Sequence, residues 1–398
     1  MITKKIFTMV KILFYFFLIF SFSACGTGQN GNNITSYEVR VEFEFLDSLM
    51  VESLFELYLA DKNENTEQLL FNEKQMKELI LTDLEGKIIS RCEPNGEGPD
   101  KVDSPLEVAF WQDGIVIKEI SSEHKFNFFN QNFKKIGQSP ALTKNLNFLT
   151  IYNSHRSFSI FEKDGKTLIV GQDLNLIDEQ LLTENPENCS LYESTEIGYI
   201  YDVDSEYYIP INLYPETWKP RLEQKWVGLK NSYVQVSKTD QKVAVLPSVG
   251  NQLFFYELNG TSLSPISQIS LFHPERNENL IFNANNEYFL YPLFTQLFSG
   301  GDYFLVEFHT EVPQDIYDSF RAKGEDFQND PKYWEALQKH WKSKYILTDK
   351  NGNQGGISEL PVPGVLHFID ADDILYIKPN QNKELDYNVF YRYKVTLK

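Results

Sequence analysis

Two heptapeptides far apart in the chain set the strongest limit on how it can fold. Ile80-Leu81-Thr82-Asp83-Leu84-Glu85-Gly86 returns as Ile346-Leu347-Thr348-Asp349-Lys350-Asn351-Gly352. A chain of 398 residues exceeds the roughly 250–300 residues that one hydrophobic core usually serves. It therefore needs either separate domains or repeated units that pack only on their neighbours, and the returning heptapeptide selects the repeats. Five steps between the two copies give about 53 residues per unit, a little above the blade length of common propellers. Weaker strand–turn–strand copies lie at Phe126 to Ile136, Phe158 to Val170, Val234 to Leu246 and Leu253 to Ile266. The expected fold is all-β, a six-bladed β-propeller filling residues 37–398, with a count of seven left open. Val39 to Phe45 and Tyr387 to Leu397 are both strand-like and would close the ring.

Local patterns agree. Val39, Val41, Phe43 and Phe45 alternate with Arg40, Glu42 and Glu44, the period of two that turns one face of a strand inward. Asp164-Gly165 and Asn259-Gly260 stand between apolar runs, a strong hairpin signal because both turn positions favour positive φ. The 15% aromatic content suits broad, half-buried sheet faces. One segment departs from the pattern. Asp330 is a good N-cap, Pro331 fits the first helical position, and Trp334, Leu337 and Trp341 follow at helical spacing. With Pro313 to Arg321 upstream, also helical in pattern, this predicts a short helical insertion at about 313–343 in the last blade, the Trp334/Trp341 stripe forming its packing face.

A more specific segment follows the first heptapeptide. Gly96-Glu97-Gly98-Pro99 precedes Trp111-Gln112-Asp113-Gly114-Ile115-Val116-Ile117 and then Phe126-Asn127-Phe128-Phe129-Asn130. These residues resemble the blade linker and inner hairpin of the six-bladed β-propeller lipoproteins of Bacteroidetes. In that family a Gly-x-Gly-Pro turn joins one blade's outer strand to the next blade's inner strand. Asp100-Lys101-Val102 stands where the family usually has Gly-Glu-Phe or Gly-Glu-Tyr, a variation that points to a sister group classed as a domain of unknown function. The resemblance implies a fold and no activity.

The N-terminus supplies an address. Lys4, Lys5 and Lys11 precede an apolar run from Ile12 to Phe20, which closes on Phe22-Ser23-Ala24-Cys25-Gly26. The run is about half the roughly 20 residues that span a bilayer, and it has the layout of a secretory signal. Its end resembles the lipobox of bacterial lipoproteins, which implies a signal peptide at 1–24, cleavage before Cys25 and lipidation of that thiol. The apolar-free GTGQNGNN from Gly26 belongs to a flexible tether at 25–36. Surface-exported lipoproteins of the group that it resembles often carry acidic residues just after the Cys, and this tether has none, which implies the periplasmic side of the outer membrane in the cell envelope. The membrane is thus one expected partner, through the lipid on Cys25. A formal charge of −19 repels nucleic acid, so the other expected partner is a protein or a glycan.

No residue pattern announces chemistry, and no catalytic, cofactor or metal residue is assigned. His124, His155, His273, His309, His340 and His367 show no metal-ligand spacing and read as structural or surface residues. Asp349 to Asn353 starts like a calcium loop, but Gln354 and Leu360 occupy the positions that need Gly and Glu; a plain turn is expected. Asp202/Asp204 and Asp370 to Asp373 read as acidic turns. Cys92 and Cys189 read as two separate thiols. No nucleophile elbow, phosphate loop or dinucleotide fingerprint is present. The reading that follows is a non-catalytic binding or scaffold protein. The alternative, an enzyme of the axial channel (a lactonase-like hydrolase, a lyase or a glycosidase), requires carboxylates converging there.

Overall fold

A computed structural model describes residues 39–120, 123–143, 155–177, 189–273, 291–324, 326–356, 359–380 and 385–398. The expected signal peptide, Cys25 and the tether lie outside the described residues. Six small antiparallel sheets form a ring. Strand β1 (Val41–Glu52) belongs to the last of them. The first blade runs from the axis outward through β2 (Leu57–Asn63), β3 (Gln68–Glu73), β4 (Leu79–Asp83) and β5 (Ile88–Cys92). The second holds β6 (Pro105–Trp111), β7 (Gly114–Ile120), β8 (His124–Phe129) and β9 (Lys135–Gln138). The third holds β10 (Phe158–Lys163), β11 (Lys166–Gln172), β12 (Gly198–Asp202) and β13 (Tyr207–Ile211). The fourth holds β14 (Ser232–Val236), β15 (Val243–Pro247), β16 (Gln252–Asn259) and β17 (Ser262–Ser270). Among the described residues the fifth has three strands, β18 (Phe294–Ser299), β19 (Tyr303–His309) and β20 (Ser343–Asp349). The sixth is β21 (Gly364–Ile369), β22 (Ile374–Pro379) and β23 (Tyr387–Leu397), with β1 at its outer edge. The inner strands touch in order round the ring, and β21 meets β2.

Each seam between blades has its own apolar core. Leu70, Leu79 and Leu81 of the first blade meet Val108, Ile115 and Ile117 of the second, while Leu69, Phe71 and Ile80 pack the opposite way against Phe368, Tyr376 and Phe390 of the sixth. The middle strands are buried on both faces, so they read as continuous apolar runs such as Leu69-Leu70-Phe71 rather than as the alternation of a half-exposed sheet. The ring closes as expected: β1 pairs along β23 from Val41 opposite Leu397 to Glu52 opposite Tyr387. The Gly96–Pro99 turn lies between β5 and β6, joining an outer to an inner strand, as the resemblance implies.

Three expectations need correction. The heptapeptides are the third strands of the first and fifth blades, so they lie four steps apart and not five. Val234 to Leu246 and Leu253 to Ile266 are two hairpins of one blade, the fourth. The helical insertion leaves β19 and returns to β20, which puts it in the fifth blade; the last blade is the one completed by β1. It contains α1 (Gln314–Arg321) and α2 (Pro331–His340), with the Asp330 carboxylate accepting the Lys332 N–H at 3.0 Å as the cap of α2. Its core is Val312, Tyr317, Phe320, Tyr333 and Leu337. Trp334 is exposed and Trp341 partly so, lying against His309, so the insert's packing face is Tyr333/Leu337 and not a tryptophan stripe.

The acidic motifs are turn devices. Asp83 Oδ1 accepts the N–H groups of Glu85 and Lys87, and Asp349 Oδ1 accepts those of Asn351 and Asn353. Asn130 and Asp370 repeat the arrangement. The third residue after each is left-handed: Gly86 at φ 88°, Phe133 at 56°, Gly352 at 86°, Asp373 at 55°. This Asx-turn geometry consumes the carboxylate in the backbone. Identical motifs in different blades have different surroundings. A Cβ on Gly86 would lie 2.0 Å from the Met50 carbonyl oxygen, whereas one on Gly352 would meet only Ile269 at 3.4 Å. Gly352→Ala should cost about 1 kcal/mol of left-handed strain, and Gly86→Ala about 2 kcal/mol or more once the clash is added. Urea unfolding of the two variants checks this; equal losses would mean that the β1 backbone gives way freely.

Candidate functional site

The axial channel is the site that the fold assembles. Inner strands β2, β14, β18 and β21, with the residues just before β10, enclose a cavity of about 50 Å³. Around it stand Leu59, His155, Arg156, Gln235, Lys238, Gln296, Phe298 and His367. Three of these polar groups sit within mainly apolar inner strands: Gln235 in Ser-Tyr-Val-Gln-Val, Gln296 in Phe-Thr-Gln-Leu-Phe-Ser, His367 in Gly-Val-Leu-His-Phe-Ile.

Side chains cross the channel and tie distant blades together. Arg156, ahead of the third blade's inner strand, reaches Asp61 of the first with Nη1 2.7 Å from Oδ2, and its Nε donates to the Phe158 carbonyl at 2.8 Å. Asp61 Oδ2 also accepts the Phe110 N–H of the second blade. Lys238, just past the fourth blade's inner strand, donates from Nζ to the Ile369 carbonyl of the sixth at 2.6 Å, over the face of Phe368. Lys62 bridges Glu64 and Asp370 at 2.7 and 2.8 Å. Burial would lower the Lys62 pKa, but these two carboxylates override it and hold the ammonium protonated. The surrounding ring lowers the pKa of Lys238 to about 8, and nearby Asp61, Asp370 and Glu64 only partly offset this. The residue is nevertheless exposed to solvent, which screens the shift.

Two of the six histidines meet at this axis, which their sequence spacing gave no means to foresee. Burial lowers the His155 pKa to about 4, although its ring donates to the His367 carbonyl. His155 lies edge-on to Phe298 at 4.8 Å. His367 Nδ1 accepts the Leu59 N–H at 3.1 Å, so its proton sits on Nε2, and burial together with His155 keeps the ring neutral. It stacks on Tyr58 at 5.0 Å and serves the seam between the sixth and first blades. The others are dispersed: His273 packs on Phe308 and His309 on Trp341, and burial lowers the His309 pKa to about 4. His340 ends α2.

A second polar centre lies between the second and third blades. Asp173 Oδ2 is 2.6 Å from His124 Nδ1 and 3.3 Å from Lys118 Nζ, and all three residues are buried. Lys118 also donates to Ser157 Oγ at 3.0 Å, and that hydroxyl donates to Glu107 at 2.9 Å. A serine beside a lysine suggests a nucleophile and its base. The geometry denies it: burial opposes the charge on Lys118, but Asp173 and Glu107 overcome that and raise its pKa, so at neutral pH the amine holds its proton and cannot take one from Ser157. Asp202 accepts Lys166 at 2.7 Å and the Asp204 and Ser205 N–H groups. Among the described residues no cluster of three or more His, Cys, Asp or Glu has metal-ligand geometry. Cys92 and Cys189 are free thiols; burial raises the Cys92 pKa to about 12.

The two ends of the ring differ. Neighbouring strands alternate in direction, so the turns between first and second strands share one end with the start of β1 and the finish of β23, where Arg40 and Lys398 exchange backbone hydrogen bonds at 2.6 and 2.9 Å. The insert, lying between second and third strands, emerges at the opposite end. There Trp334 is 53% exposed, and its indole N–H donates to the Gln328 carbonyl at 2.8 Å, which fixes the ring with one face open. Among the described residues no helix is long and apolar enough to cross a membrane.

No known family matches this sequence, and no curated protein does. Solved structures do share its fold. A member of the DUF4221 family from Bacteroides vulgatus superposes with a TM-score of 0.61 at 12% identity, covering 90% of this chain and 99% of that one. A protein from Bacteroides fragilis predicted to be exported superposes with a TM-score of 0.50 at 11% identity, covering 92% and 97%. The fold expected from the Gly-x-Gly-Pro linker and its hairpin is thus the fold of these Bacteroides propellers.

Proposed function

We propose that this propeller is a lipoprotein of the bacterial cell envelope, fixed through Cys25 to the periplasmic side of the outer membrane, and that it holds a protein or glycan partner without catalysing a reaction. The observation that carries the reading is the opposition of the two ends. The chain arrives at one end of the ring, and the insert with its open Trp334 face stands at the other. An anchor at the first end leaves the second facing outward from the membrane. Exposed, rigidly held tryptophans are favoured anchors in interfaces. The channel supports the same reading: pockets for drug-sized substrates occupy roughly 300–1,000 Å³, and here cross-ring bridges leave about 50 Å³. Export of the Bacteroides fragilis relative in fold is consistent with this address.

The insert can be removed cleanly, because Thr310 N–H donates to the Lys342 carbonyl at 2.9 Å and the two stems already meet. Replacing residues 313–341 by Asn-Gly should leave the melting temperature within a few degrees while abolishing partner capture in crosslinking from intact cells. Unchanged partners with an intact fold would sink the reading. Cys25→Ala should move the protein from the membrane to the soluble fraction with its melting curve unchanged; retention in the membrane would rule out the lipid anchor.

A further inference from the structure

The axial cavity has a composition at odds with the rest of the molecule. The chain carries 56 acids against 37 Lys and Arg, yet the cavity wall contains Arg156 and Lys238 and no carboxylate. We propose that this cavity binds one small oxyanion, a carboxylate or phosphate group, held by Lys238, Arg156, Gln235 and Gln296.

The donors that would hold it are in place and largely unused. Arg156 spends Nη1 on Asp61 and Nε on a carbonyl, which leaves Nη2. Lys238 spends one N–H on Ile369, and among the described residues no carboxylate lies within ion-pairing distance of it. Gln235 accepts the Ser159 hydroxyl on Oε1 at 3.2 Å, leaving its amide N–H groups. Gln296, though buried, makes no side-chain hydrogen bond among the described residues. Asp61 is paired with Arg156, and Asp370 and Glu64 with Lys62, so among the described residues no carboxylate is left to pair directly with Lys238. An anion placed between Lys238 and Arg156 would receive charge-assisted hydrogen bonds from an ammonium and a planar guanidinium donor, which supply both strength and direction. A water needs about 10–15 Å³ on this measure, so about 50 Å³ takes a few waters or one such group and excludes a sugar ring. The neutral His155 and His367 bring no competing charge.

The test is calorimetric titration of the full chain with sodium acetate and, separately, with inorganic phosphate, against chloride at matched ionic strength. Saturable binding of at least one is expected, acetate identifying a carboxylate site and phosphate a phosphate site. Lys238→Met and Gln296→Leu should each weaken it at least tenfold, Lys238→Arg should retain it, and Lys219→Met on the surface should change nothing. Failure of both anions to saturate, or full affinity in Lys238→Met, overturns the proposal. Neither anchor nor partner enters this experiment, so its outcome is separate from that of the envelope reading.

Discussion

Asp173→Ala should lower the stability of the protein at pH 7 by about 3–5 kcal/mol, the loss expected when a buried ion pair keeps only its cation. Lys118 and His124 are 2% and 1% exposed, and the change leaves the Lys118 ammonium facing an empty space between two blades. Burial by itself would raise the pKa of the Asp173 carboxyl; Lys118 and His124 override it and hold the group well below the usual carboxylate range. The folded-state pKa is thus depressed. The stabilisation is complete above the unfolded value of about 3.9 and disappears as the pH falls from there through the folded-state value. Denaturant unfolding between pH 3 and 7 should therefore show a shallower acid-side loss in Asp173→Ala than in the parent. Lys118→Met in the same background should recover part of the deficit, because it removes the stranded charge. A single-variant loss below about 1 kcal/mol, within the range of exposed pairs, would mean that water reaches the cluster.

Asn388→Ala should cost about 3–4 kcal/mol, from several polar groups losing partners at once. Asn388, on β23, sits beside the link from β1 to β2, the one connection that joins the closing blade to the first. Its Oδ1 accepts the Leu57 N–H at 3.0 Å and the Lys378 ammonium at 2.9 Å; its Nδ2 donates to the Phe55 carbonyl at 2.9 Å and the Ser53 carbonyl at 3.3 Å. Asn388→Asp keeps the acceptor and loses the donors, so it should fall between the parent and Ala. Limited proteolysis should find new cleavage within 53–56 in Asn388→Ala. Protection equal to the parent would show that the apolar seam alone holds the link.

The repeat was legible because the Asx turn has the same chemistry in blades one and five, an Asp followed three residues later by a left-handed Gly. Its spacing misled because the fifth blade contains the insert and the chain's first strand is spent on the sixth. A count of strands along the sequence cannot reveal that β1 pairs with β23. α1 was readable from the pattern of Pro313 to Arg321, and α2 from Asp330, Pro331 and the spacing of Trp334, Leu337 and Trp341, but their blade was not. The tryptophans were taken for the packing face because their spacing fits a helix stripe as well as Tyr333/Leu337 does, and only the tertiary structure chooses between the two. The axial set was hidden for another reason. Gln235, Gln296 and His367 come from three blades, and Arg156 and Lys238 lie just outside strands, so no linear spacing relates them. A usable signal was present: a large polar side chain, Gln or His, within each of three short, mainly apolar inner strands.

Closure by β1 also decides how the molecule bears load. A pull on Val39 against the far end of the ring is directed along β1. Eleven paired positions between β1 and β23 are then strained together, in shear, instead of opening one after another as they would if the strand were peeled sideways. Shear distributes force over the whole ladder, and the register shift between Phe45 and Asp47 adds an interlock against sliding. A strand borrowed from the opposite end of the sequence thus makes the outer edge of the sixth blade a mechanically strong edge of the ring.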